Sequence, residues 1–264
     1  MNKLPWLTAA LCLCAIAILA AVAARAQERI TVATAANMNL AMREIVPAFA
    51  SESRIQAQPI FGSSGNFYSQ IRNGAPFDVF VSADTEYPER LARDGLVSGP
   101  VVRYARGSLV LWTPNRLGLD PAQLGMKLLL RPEVRKIAMA NPAHAPYGRA
   151  AEAALRASGI YETVKTKLVL GEDITQTFQF VESGNAQAGL VALALVVNPT
   201  AQKEGRYSPV PDTLYPPLEQ GVVVLKSSVH AEAGHRFVEF LASPRGRAIL
   251  ARYGFRASAG EGGK

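Results

Sequence analysis

The chain has 264 residues, 49% hydrophobic and 19% charged, with a net charge of +7. This composition excludes a disordered chain, a collagen-like repeat and a polytopic membrane protein. Both cysteines, Cys12 and Cys14, lie in the first twenty residues, which excludes a disulfide scaffold and a cysteine zinc site in the rest of the chain.

The first element is an address. Lys3 supplies the early positive charge, Leu4–Ala24 carries no charged residue, and Ala24-Arg25-Ala26 forms a small-x-small cleavage pattern. Residues 1–26 are therefore expected to be a signal peptide, cleaved before Gln27 on export to a bacterial periplasm. An uncleaved membrane tether is the competing reading, because the apolar run is about long enough to span a bilayer. Loss of Lys3 and Arg25, with no acid lost, takes the net charge from +7 to +5. No run of Lys and Arg interleaved with aromatics exists, so nucleic acid is not an expected partner.

Strand and helix patterns then alternate. Strands are expected at Ile30–Ala35, Gln56–Phe61, Asp78–Ala83, Leu109–Thr113, Lys136–Ala140, Lys167–Leu170, Gly189–Leu193 and Gly221–Leu225. Helices are expected at Leu40–Phe49, Phe67–Arg72, Glu86–Arg93, Gly148–Ser158, Thr175–Glu182, Ala231–Leu241 and Pro244–Tyr253. This order predicts an α/β fold of mainly parallel sheets flanked by helices. Breaks at Arg103–Gly107 and at the proline-rich Ser208–Pro217 suggest two chain crossings between two lobes. Lobe I would be residues 27–106 with 218–264, and lobe II residues 107–217. The Gly-rich end Gly260–Lys264 is expected to be disordered.

Four strand ends run straight into helix starts. They are Ala35-Ala36-Asn37-Met38, Phe61-Gly62-Ser63-Ser64-Gly65-Asn66, Asn141–Gly148 and Gly171-Glu172-Asp173-Ile174-Thr175. Helix starts carry free N–H groups and a partial positive charge, which suit an anion. Each loop alone is explained by N-capping, and Asn37 reads as a cap. Their recurrence on strand ends points to a ligand site. The first three loops contain no lysine or arginine, so their donors are neutral; Arg149 follows directly after Tyr147-Gly148.

The segments GSSGNFYSQI (62–71), GAPFDVFVSAD (74–84), NPAHAPYGRAA (141–151), GEDITQTFQFVESGNAQAGLVAL (171–193), LEQGVVVL (218–225) and LARYGF (250–255) resemble, in order and spacing, the periplasmic molybdate-binding proteins of ABC importers. The resemblance implies a two-lobe periplasmic-binding-protein fold of type II. It implies that a molybdate or tungstate oxyanion sits between the lobes on hydroxyls and amides, and is handed to an inner-membrane ABC permease. The chain would work as a monomer, with no cofactor, no directly ligated metal cation and no catalytic residue. By position, Ser64 matches the family's serine, and Tyr147 and Ile174 match residues whose backbone N–H groups bind the anion. Asn37 stands where many members have serine, with Ala36 beside it lining the site. Some members place a tyrosine hydroxyl where this chain has Ala192; the two N–H donors of the Asn37 amide are the candidate replacement. Glu172-Asp173 is expected to point away from the anion and cap the helix.

A receptor for sulfate or another tetrahedral oxyanion is the alternative of the same class. An exported hydrolase or transferase using Ser64 is the alternative of another class. It needs a base from His144, His230 or His235, and Gly62-Ser63-Ser64-Gly65 does not fit the Gly-x-Ser-x-Gly elbow. His235, with Glu232 and Glu239 on its helix, reads as part of a solvated face. Asp78 and Asp84 read as turn and cap residues, and Trp112, Phe178 and Phe180 as core.

Overall fold

The computed structural model describes residues 28–258. The expected signal peptide and the Gly-rich end lie outside the described residues. Among the described residues no helix is long and apolar enough to cross a membrane.

The chain forms two five-stranded sheets. The first contains β1 (Arg29–Ala35), β2 (Gln56–Gly62), β3 (Val79–Val81), β4 (Val97–Gly107) and β10 (Leu218–Leu225), in the order β2-β1-β3-β10-β4. The second contains β5 (Leu109–Pro114), β6 (Ile137–Ala140), β7 (Leu168–Gly171), β8 (Ala188–Ala192) and β9 (Gly205–Pro209), in the order β7-β6-β8-β5-β9. Each sheet is mixed. β10 is antiparallel to both β3 and β4, and β5 to both β8 and β9, while the other pairings are parallel. One strand per sheet is thus reversed. Helices flank both sheets, giving a two-lobe α/β architecture.

Seven helices matter for the argument: α1 (Asn39–Ser53), α2 (Ser64–Arg72), α3 (Glu86–Arg93), α4 (Pro146–Ala157), α5 (Ile174–Glu182), α6 (Ala231–Ala242) and α7 (Pro244–Arg252). Strands buried on both faces read as unbroken apolar runs, and β5, β6 and β8 are buried at every position. Trp112 on β5 meets Phe178 of α5 edge to face at 5.0 Å, so this pair is core, as expected. The first lobe's core packs Phe49 of α1 against Phe237 and Phe240 of α6.

Two strands escaped the sequence pattern. β4 contains Gly99 and Pro100 and is mostly half-buried or exposed until Tyr104; β9 is short and ends on Pro209. Both are edge strands, where proline is tolerated and an apolar face is not required. The expected lobe boundaries Arg103–Gly107 and Ser208–Pro217 overlap only their C-terminal ends. Helix starts also move. α2 and α4 begin two to three residues earlier than periodicity suggested, so Ser64 and Tyr147 lie in first turns instead of loops. Asn37 is not a helix cap: it sits in a 3-10 turn, Ala36–Met38, and α1 starts at Asn39 without a side-chain cap. His235 is not on a bare solvated face either, since its Nε2 lies 3.2 Å from Ser98 Oγ on β4.

Candidate anion site between the lobes

β1 and β2 end level with each other in the first sheet, as β6 and β7 do in the second, and their C-terminal ends lead into the Ala36–Met38 turn, α2, α4 and α5. The crevice beyond the carboxyl ends of such strands is where open α/β sheets bind ligands. A small cavity lies there. Ala36, Asn37, Ser64, Tyr147 and Ile174, the five residues singled out in the sequence, all line it, with Ser63, Ala83 and Asp173. Ala192 is buried at the end of β8 and is not among the lining residues.

The hydrogen-bond inventory of the three helix starts has one pattern. In α2 the Gly65 N–H donates to His144 O (2.8 Å), Asn66 N–H to Ser63 Oγ (3.4 Å) and Phe67 N–H to Ser63 O (3.1 Å), which leaves the Ser64 N–H. In α4 Pro146 has no N–H, and Gly148 and Arg149 both donate to Ala145 O, which leaves Tyr147. In α5 Asp173 takes Thr175 and Gln176 on its Oδ1 and Thr177 on its backbone carbonyl, which leaves Ile174. First-turn amides have no partner within their own helix. Here the one left over in each helix belongs to a cavity residue, and each helix adds a partial positive charge.

Charge is kept out of the lining except for Asp173, whose Oδ1 is occupied by its own cap bonds. Its neighbour Glu172 is exposed and lies 3.5 Å from His144 Nε2. Arg149, the nearest cation in sequence, turns away. Its guanidinium bonds Asp84 and lies 3.4 Å from Glu86, 3.1 Å from Tyr87 OH and 5.2 Å from the Tyr87 ring centroid. These partners come from the other lobe, so Arg149 straps the cleft shut. Burial pushes the Asp84 carboxyl above its ordinary range, against the lowering pull of the Tyr87 N–H and Arg149. Asp84 is thus a cap, as read, and also one half of an unforeseen ion pair. Asp78 is a turn residue that accepts from Thr31 N–H at 2.7 Å and Ser228 Oγ at 2.6 Å.

More contacts cross the cleft: Ser63 Oγ with His144 Nδ1 at 2.9 Å, and Thr175 Oγ1 donating to Ala36 O at 3.1 Å. His144 therefore stands on Ser63, not on Ser64. The Ser64 hydroxyl oxygen accepts from Ala83 N–H at 3.0 Å, so its proton remains available to donate into the cavity.

A family model described as bacterial extracellular solute-binding protein matches residues 30–256. The chain belongs to that family. It is 38% identical over 226 residues to the molybdate-binding protein ModA of Rhodobacter capsulatus, covering 84% of this chain and 86% of that one. It is 38% identical over 238 residues to ModA of Azotobacter vinelandii, covering 90% and 93%. The solved structure of the Azotobacter vinelandii periplasmic molybdate-binding protein superposes with a TM-score of 0.81 at 32% identity, covering 87% of this chain and 99% of that one.

The solute-binding protein also holds polar residues that the sequence reading passed over. Gln220 on β10 is fully buried; its Oε1 accepts from Asn37 Nδ2 at 3.0 Å and from Tyr104 OH at 2.7 Å, and its Nε2 donates to Tyr147 OH at 3.4 Å. The Asn37 amide nitrogen is thereby committed to Gln220, and its Oδ1 is buried without a partner. A polar residue among Leu218, Gly221 and Val222 was the available signal, because a buried amide needs partners.

Proposed function

We propose that this solute-binding protein captures molybdate, and tungstate as a second ligand, in the cavity between its lobes and delivers it to an ABC permease. Lobe I would be residues 27–106 with 218–264, and lobe II residues 107–217. The carrying observation is the set of three unclaimed first-turn amides, from Ser64, Tyr147 and Ile174, that border one small cavity without a cation in its lining. The likeness to molybdate-binding proteins supports the choice of ligand.

The chemistry follows from the donors. A dianion held by pre-aimed neutral N–H and O–H groups binds through charge-assisted hydrogen bonds that strengthen as closure removes water. The unclaimed amides and the Ser64 hydroxyl favour a fully deprotonated dianion, which accepts at every oxygen. Sulfate has molybdate's charge and shape, so cavity size must separate them. Ala36, Asn37, Ser64, Tyr147 and Ile174 are the proposed anion-binding residues.

The protein would be exported by cleavage before Gln27, act as a monomer and turn nothing over. Calorimetric titration of residues 27–264 with molybdate, tungstate, sulfate and phosphate tests the ligand. One-to-one saturating heat with molybdate and tungstate is expected; heat with sulfate and none with molybdate overturns the reading. Intact mass of the exported protein checks the cleavage.

A further inference from the structure

Ser63 lines the anion cavity, and two groups compete for its hydroxyl. The oxygen accepts from Asn66 N–H at 3.4 Å and lies 2.9 Å from Nδ1 of His144, across the cleft. His144 is held in place for this contact. Its backbone carbonyl accepts from Gly65 N–H at 2.8 Å, and its Nε2 lies 3.5 Å from the Glu172 carboxylate. The ring thus stands between a hydroxyl of the first lobe and a carboxylate of the second. The carboxylate favours a hydrogen on Nε2. In the neutral ring Nδ1 is then a bare acceptor and takes the Ser63 hydrogen. In the charged ring both nitrogens donate, Nδ1 to Ser63 Oγ and Nε2 toward Glu172, and the Ser63 hydrogen is released to the cavity.

We infer that anion binding at this site is coupled to protonation of His144: the imidazolium frees Ser63 as a further hydroxyl donor and adds a positive charge next to the lining residues Ser63 and Ala145. This rests on the reading that the cavity takes a molybdate-type dianion. The coupling is reciprocal, since a proton on His144 tightens the anion and the anion tightens the proton. Imidazole suits the task because its charge changes near neutral pH. The His144 side chain keeps 19% of its surface exposed, enough to exchange protons with water. Glu172 is the charged group that reaches the ring. Other titratable groups on the elements around it are committed elsewhere. Beside Glu172, Asp173 Oδ1 is held by Thr175 and Gln176 N–H. On α4 the Tyr147 hydroxyl meets Gln220, Arg149 is bound to Asp84 and Glu86, and Glu152 to Arg156. On α2 Arg72, in the last turn, pairs with Asp94 at 3.5 Å and lies 5.7 Å from the Tyr68 ring centroid. The Tyr87 hydroxyl, packed on Gly65, bonds Arg149.

The test is calorimetric titration with micromolar molybdate at several pH values between about 6 and about 8, in buffers of unlike ionisation heat. Wild type is expected to bind at least about fivefold more tightly at the acid end of this range than at the alkaline end, and to take up a fraction of a proton per anion. His144→Asn keeps the backbone bond to Gly65 and an uncharged polar side chain, and should abolish both the slope and the uptake. Ser63→Ala should weaken binding and reduce the slope, because the charge remains and the released donor does not. Glu172→Gln, at an exposed side chain, should move the rise in affinity to lower pH. It decides the question should His144→Asn not fold, as judged by thermal melting. The inference is overturned by wild-type affinity that is level across the range, by binding without proton uptake, or by an equal slope in His144→Asn. Absence of molybdate binding by wild type at every pH would count instead against the receptor reading.

Discussion

Gly107 and Ser64 are single positions where one atom decides the outcome. At Gly107 an added methyl would fall 2.2 Å from Tyr147 OH and 2.6 Å from Gln220 Nε2, distances that force movement of buried groups. Overpacking of this kind costs about 1–3 kcal/mol, so Gly107→Ala should lower the thermal unfolding midpoint and weaken molybdate binding together. At Ser64 the oxygen accepts from the buried Ala83 N–H while its hydrogen is free to donate. Ser64→Ala removes both. A hydrogen bond to a charged group contributes about 1.5–3 kcal/mol, so titration should show molybdate affinity reduced by at least about tenfold, with tungstate reduced in parallel. The loops holding Ser64, Tyr147 and Ile174 were legible because small, capping and glycine residues cluster at strand ends, and the resemblance to molybdate-binding proteins singled out Tyr147 and Ile174 within them. Gln220 and Tyr104 were not, because a lone amide or phenol in a strand declares no partner until the chain brings Asn37 and Tyr147 to it across 183 and 73 positions.

The helices illustrate how local rules set an element and distant contacts set its end. α5 is capped by Asp173, whose Oδ1 accepts from Thr175 N–H at 2.8 Å and Gln176 N–H at 2.9 Å. Such caps contribute about 0.5–2 kcal/mol. Asp173→Ala should therefore lower the unfolding free energy measured by urea denaturation by that amount, and should also weaken molybdate binding as the first turn carrying Ile174 frays. This start was legible to within a residue, since Asp-Ile-Thr before an apolar period is a local signal. The start of α2 was not. Ser64 and Gly65 are poor helix formers, yet the Gly65 N–H is held at 2.8 Å by the His144 carbonyl from another helix-leading loop. β4 and β9 failed for the complementary reason: an edge strand is specified by its neighbour's hydrogen bonds, not by its own apolar period.

Across the whole molecule, two charged ties join the lobes. On the cleft side Arg149 binds Asp84, Glu86 and Tyr87. Removing it should leave the anion donors in place and loosen the closed arrangement, so Arg149→Ala should raise the molybdate dissociation rate about fivefold with a smaller change in association, measurable by stopped flow. In the second tie Asp212 accepts from Arg256 at 2.7 and 3.1 Å and from Tyr215 OH at 3.0 Å. The Arg256 hydrogen bonds hold the Asp212 carboxyl below its ordinary value of 3.8. A carboxylate with a depressed folded pKa confers stability above its unfolded value and loses it as pH falls through the folded one. Thermal unfolding should thus drop below pH 3.8 more steeply in wild type than in Asp212→Asn, while the two curves run parallel near neutrality.

The linear order of residues by itself determined the alternation of strands and helices, the two-lobe α/β class and the loops at which donors gather, because periodicity, capping and glycine act within a few positions of themselves. Only the folded chain decided how those donors are used. It left one free amide in each of three helices, gave Arg149 to Asp84 in place of a ligand, and set Gln220 between Asn37 and Tyr147. Each of these depends on groups far apart in the chain meeting inside a dry interface, where an unpaired polar atom is expensive and every partner therefore matters.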